Sequence, residues 1–207
     1  MVRNKKNQQV RWLLLGLCLH ALLVSEGFGT APGSHLPSLS PNCPALILQV
    51  AKLVERPWVD RRFSTLFLEQ LAPITDDRLQ ADFNLEADPI RAAAAGFQHH
   101  RPGFTPLDID HYIAQRIHPS GPRHPVVLFV MHHRNQPVGF LALSLKWNQG
   151  VLEAWSEYLK VDTSIAETQG ISRSFFDFTR VFYQKLGVKT ERLEAGWAGR
   201  PIWARKG

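Results

Sequence analysis

Apolar residues keep a helical spacing from Ala45 to Ile117 and recur as short, β-branched runs from Val126 onward. ALILQVAKLVE, Ala45–Glu55, predicts a helix that Pro57 ends, and STLFLEQL, Ser64–Leu71, predicts a short one capped by Ser64. DPIRAAAAGF, Asp88–Phe97, carries an Asp N-cap, a proline at the first helical position, an alanine run and a terminating Gly96. TPLDIDHYIAQRI, Thr105–Ile117, repeats that arrangement with Thr105 and Pro106, so the first half of the chain is expected to be mostly helical.

At Pro125 the period changes. VVLFVMHH is a buried strand by its length and β-branching; after the turn RNQP comes VGFLALSLK, Val138–Lys146, and after WNQG comes VLEAWSEYLKV, ending at Val161. These three runs predict an antiparallel meander. A polar loop follows, and then Ile171, Phe175, Phe178, Phe182 and Leu186 fall on one stripe of a long helix stopped by Gly187. ERLEA predicts a last short strand and GRPIWARK a final helical turn. The fold class is therefore mixed α/β: helices first, then an antiparallel meander, a loop, a long helix and a strand.

Composition refines the boundaries. The 207 residues are 44% hydrophobic and 20% charged, which suits one globular domain with a tail. The formal charge of +6 is concentrated at one end: Arg3, Lys5, Lys6 and Arg11 have no acid among the first eleven residues, and the other 20 basic residues face 18 acids. No basic stripe remains for nucleic acid, which is excluded as a partner. The basic start leads into WLLLGLCLHALLV, residues 12–24, too short for a bilayer span of roughly 20 residues and followed by small residues. Residues 1–25 are thus read as a signal-like or membrane-associated segment. The Pro-, Ser- and Gly-rich residues 26–44 form a linker, and residues 45–207 form the domain. Cys18 and Cys43 are the only cysteines, so cleavage of the leader would leave no internal disulfide.

From about Val126 to Gly207 the order of elements resembles the GNAT superfamily of acetyl-CoA-dependent N-acetyltransferases. Its acetyl-CoA loop, Q/R-x-x-G-x-G/A, aligns with Glu167, Thr168, Gln169, Gly170, Ile171 and Ser172, with Glu167 where the family carries Gln or Arg and Ser172 where it carries Gly or Ala. The resemblance implies acetyl-CoA as co-substrate, with its thioester held by backbone groups of Leu159 and Val161 and its diphosphate by Gln169, Gly170, Ile171, Ser172 and Arg173. The physical case for such a loop is independent of the family: a glycine turn feeding a helix N-terminus converges amide donors and about half a positive charge on an anion. A C-terminal tyrosine motif of the family aligns with Trp203 and Gly207, and an indole cannot serve as the acid there. The family continues with two more strands, so the resemblance implies a fold incomplete at its C-terminus.

Acetyl transfer to an amine needs a base. Glu153, Trp155 and Glu157 share one strand face by the period of two, and Glu157 is the expected base with Glu153 beside it. The bland alternative is a solvated sheet face. The histidine pairs His99–His100 and His132–His133 and the separated His111 and His118 lack metal-ligand spacing, so no metal site is expected. The aromatics of Phe175–Tyr183 are read as core. Two functions follow: an N-acetyltransferase acting on a small-molecule or protein amine, cytoplasmic if active, or a non-catalytic GNAT-like binding module, exported or membrane-tethered. Fractionation of a C-terminally tagged chain separates them. A mature form starting after about Ser25 is the outcome expected of an export signal, and a full-length cytosolic form is the outcome expected of the enzyme.

Overall fold

A computed structural model describes residues 42–118 and 121–193. Among the described residues, five α-helices and six strands follow in order: α1 (Asn42–Val54), α2 (Ser64–Glu69), β1 (Leu71–Pro73), α3 (Asp76–Phe83), α4 (Ala87–Ala94), β2 (Asp108–Arg116), β3 (His124–His133), β4 (Gln136–Asn148), β5 (Val151–Val161), α5 (Ile171–Leu186) and β6 (Thr190–Leu193). The strands form one sheet in sequence order, antiparallel throughout except for the parallel β5–β6 pair. The mixed α/β class expected from the sequence is the observed one.

Sheet geometry explains the composition of the middle strands. Pro125–His132 of β3 and Pro137–Leu145 of β4 are buried without interruption, because helices cover both faces of the sheet. On one face Val127, Phe129, Met131, Leu141, Leu143 and Leu145 pack with α3, α4 and α5. On the other, Val126, Leu128, Val130, Phe140 and Ala142 pack with α1 and α2. The hairpins β3–β4 and β4–β5 turn on Arg134–Asn135 and Gln149–Gly150, all four at positive φ, the geometry that matches strand twist in two-residue connections. Gly139 of β4 allows a close approach: a Cβ there would lie 2.9 Å from both Met131 Cε and Val161 Cγ1.

The stretch expected as a helix over Thr105–Ile117 is instead β2. Its nine residues pair in continuous register with β3, and Ile109 and Ile113 pack on the α5 face while Tyr112 and Ala114 pack on the α1 face. Both faces are apolar, so the spacing mimics a helix, and sheet pairing decides the outcome. The chain also holds α3, which the hydrophobic pattern does not signal because Leu79 is its one buried residue; Thr75 caps it by accepting from the Arg78 amide. Helix α2 stops at Glu69, and Leu71 pairs with Arg116 in β1. Asp88 lies inside α4 rather than capping it. The expected leader, most of the linker, the Trp203 motif and the final helical turn lie outside the described residues.

Phe129 is fully buried where Phe97, Phe178 and Phe182 converge edge-on, with centroids 5.4, 5.3 and 6.3 Å away. Phe129→Ala should therefore cost about 3–5 kcal/mol, read as a fall in the denaturant midpoint at an unchanged slope.

Candidate functional site

The site begins with how β5 spends its backbone hydrogen bonds. The Asp162 amide donates to Val138 O at 2.7 Å, so Asp162 faces β4. Antiparallel alternation then directs Lys160 and Tyr158 toward β4 as well, and the N–H and C=O groups of Leu159 and Val161 the other way. On that other side β6 pairs only with Glu153, Ala154, Trp155 and Ser156. Past Ser156 no strand among the described residues covers the edge, and Leu159 and Val161 present their backbone groups there. The register shift opposite Ala142 and Leu143 places Glu157 as an extra residue in β5, so the strand changes face alternation at the point where the edge opens.

The loop after β5 leads directly to a helix N-terminus. Asp162 Oδ1 accepts from the Ser164 amide and hydroxyl, and buried Thr168 donates through Oγ1 to the carbonyls of Asp162 and Ile165. A 3-10 turn, Ala166–Thr168, is followed by Gly170 at φ 82°, the N-cap of α5. Arg173 and Ser174 donate their amides to Gly170 O, and Gln169 donates to Ala166 O. No hydrogen bond among the described residues uses the amides of Ile171 and Ser172. Nor does any use the Gly170 amide, so three of the five expected donors remain open, while the Gln169 and Arg173 amides are already committed; the Gln169, Ser172 and Arg173 side chains are exposed beside them. Glu167, the acid at the family's Gln or Arg position, lies against His133 of the β3–β4 hairpin, 3.7 Å from Nδ1.

Glu153, Trp155 and Glu157 do share one face of β5, the face of α1 and α2. Glu157 accepts from Ser144 Oγ at 2.7 Å and Arg116 Nη1 at 3.1 Å, with His124 Nε2 3.4 Å away. Burial alone would push its carboxyl up, but bonding to His124 and Ser144 and the charge of Arg116 outweigh it and hold it below the usual 4.5. Glu153 accepts from Asn148 and Arg192, which hold it below its ordinary value too. Neither Arg116, His124 nor Ser144 was a sequence candidate. They come from β2, β3 and β4 and meet Glu157 only through strand pairing.

At the apex of the β5–β6 fork, on the opposite face, Ser156 Oγ lies 3.4 Å from Tyr183 OH of α5. Burial pushes the Tyr183 phenol up, so it stays protonated. Burial also pushes Glu191 of β6 up, opposed by its hydrogen bond to Ser156. A cleft of about 380 Å³ between α5 and β6, lined by Thr179, Arg180, Tyr183, Lys189 and Glu191 among others, runs beside this cluster.

The meander, the loop, the long helix and the last strand stand in the order expected from the sequence. No family model matches the chain, and no curated protein matches it. Solved structures that match part of it are acetyltransferases. One, from Trypanosoma brucei, has a TM-score of 0.34 at 20% identity, over 40% of this chain and 61% of that one. An aminoglycoside acetyltransferase from an uncultured soil metagenomic sample has a TM-score of 0.33 at 25% identity, over 39% and 55%. The ribosomal-protein-alanine N-acetyltransferase of Brucella melitensis biovar Abortus 2308 has a TM-score of 0.34 at 14% identity, over 39% and 60%. The match spans roughly three-fifths of those chains.

Because the Glu157 carboxyl is depressed in the folded state, its contribution is complete above the ordinary carboxyl range and is lost as pH falls below about 4.5. Glu157→Gln should lower stability by about 1–3 kcal/mol at pH 7, with the gap to wild type closing below pH 4.5 in urea midpoints measured across pH.

Proposed function

We propose that this chain binds acetyl-CoA along the open edge of β5 and transfers its acetyl group to an amine. The observation that carries the reading is the junction of three features: outward-facing backbone groups at Leu159 and Val161, no described strand beside them, and a helix N-terminus ten residues downstream with the Ile171 and Ser172 amides uncommitted. The donors suit the ligand. An extended amide-bearing arm can pair with a strand edge as another strand would, and a diphosphate suits amides at a helix dipole.

The thioester supplies an activated acyl group. The amine nitrogen forms a bond to the acyl carbon, the carbon–sulfur bond breaks, the amine gives up a proton and the departing thiolate takes one. Glu157, ionised at neutral pH, is the acceptor for the first proton. Tyr183, kept protonated by burial at the fork apex, is the donor for the second. Glu153 is less suited to the proton transfer, being tied to Asn148 and Arg192.

One observation favours a second reading, a binding module without turnover: the Glu157 carboxylate is already engaged by Ser144, Arg116 and His124, which weakens it as a base. Isothermal titration with acetyl-CoA, followed by assays over a panel of amines, separates the readings. Saturable binding with amine-dependent thiol release is the expected result; binding without release supports the module, and absence of binding at millimolar ligand overturns the acetyltransferase. Gly170→Asp places a carboxylate on the loop at a positive φ that aspartate tolerates, so the fold should survive while acetyl-CoA affinity falls by more than about tenfold.

A further inference from the structure

We propose that His99 is a positioning residue for the acetyl-CoA loop, a brace spanning Gly170 that keeps the Ile171 and Ser172 amides directed at the ligand. The inference rests on the acetyl-CoA reading above. His99 follows α4 and is 5% exposed, with both ring nitrogens engaged. Nε2 lies 2.8 Å from the carbonyl oxygen of Glu167, which can only accept, so Nε2 carries the hydrogen. Nδ1 then offers its lone pair to the Ser174 hydroxyl, also at 2.8 Å. The two partners stand on opposite sides of Gly170, one before the turn and one in the first turn of α5.

That position matters because buried Thr168 and Ile171 anchor the two sides of the turn separately. A Cβ at Gly170 would meet nothing within 4 Å, so the turn itself borders open space. Local backbone bonds hold each side to itself: Gln169 to Ala166 before the turn, Arg173 and Ser174 to Gly170 after it. The imidazole links the two sides through one rigid ring. Its own position is fixed in turn, because Phe97, two residues earlier, stacks on Phe178 of α5 at 4.6 Å. Arg101 adds a second tie to the early side, donating to Ala166 O at 2.7 Å while its guanidinium lies 4.2 Å over the Phe104 ring. Without the ring, the loop must be ordered when ligand arrives, and affinity falls by the cost of that ordering.

The test is titration of acetyl-CoA into wild type, His99→Ala, His99→Gln and Ser174→Ala, with melting temperatures alongside. The expected loss for His99→Ala is about tenfold or more in affinity. His99→Gln, whose amide can both donate to Glu167 O and accept from Ser174, should recover most of it. Ser174→Ala, which cuts one arm of the brace, should lose less than His99→Ala. A folded His99→Ala that binds as tightly as wild type overturns the proposal, as does a folded His99→Gln no better than alanine, since a role limited to packing would not be rescued by the amide. Should His99→Ala not fold, Ser174→Ala decides: weakened binding supports the brace and unchanged binding overturns it. Wild type that does not bind acetyl-CoA removes the acetyl-CoA reading and the brace with it, whereas tight wild-type binding with indifferent variants removes the brace alone.

Discussion

Strand β5 has to satisfy its backbone on two sides, and among the described residues the second side runs out of partner halfway along. From Glu153 to Ser156 it is paired with both β4 and β6; beyond Ser156 the described residues pair it with β4 alone. Unpaired backbone groups on a strand edge are costly when dry and attract another chain when wet. The remaining architecture is arranged around that edge. Helices on both faces bury Pro125–His132 of β3 and Pro137–Leu145 of β4, the extra residue at Glu157 changes the strand's alternation where pairing with β6 ends, and the loop from Asp162 leads into the start of α5.

The two faces of the sheet divide the charged chemistry between them. On the face of α1 and α2, Glu157 is surrounded by donors and remains ionised; on the face of α5, Tyr183 and Glu191 are pushed toward their protonated forms. An ionised carboxylate and two groups pushed toward their protonated forms thus lie on opposite faces of β5. The acceptor face is also the better defended, since Arg116 both bonds Glu157 and lies 4.9 Å over the Phe67 ring of α2.

Much of this was legible in the amino-acid pattern, unevenly and for physical reasons. The Val151–Val161 strand declares itself by following the WNQG turn in the meander and the Ile171–Leu186 helix by a clean period of 3.6, and Leu159, Val161 and the Gly170 turn follow from their junction. Strand β2 does not, because apolar residues on both of its faces imitate a helical stripe behind a Thr-Pro start. Helix α3 is nearly silent, since it buries one leucine. His99 gives no local signal whatever: its partners are 68 and 75 positions away, and only the packing of the post-α4 segment against α5 brings them together. Conversely, Glu167 looks hostile to a phosphate in the sequence, and its place beside His133 is a property of the β3–β4 hairpin.

The missing side chain of Gly139 has a consequence for the last residues of β5. Met131, Val161 and the Lys160 carbonyl crowd the space that a methyl group would take. A methyl group there would have to push aside the Val161 side chain and the end of Met131, close to the Lys160 carbonyl, so the last residues of β5 tolerate no side chain at this point of β4. The residues beside the open edge therefore depend for their packing on a position of β4, the strand to which they are paired.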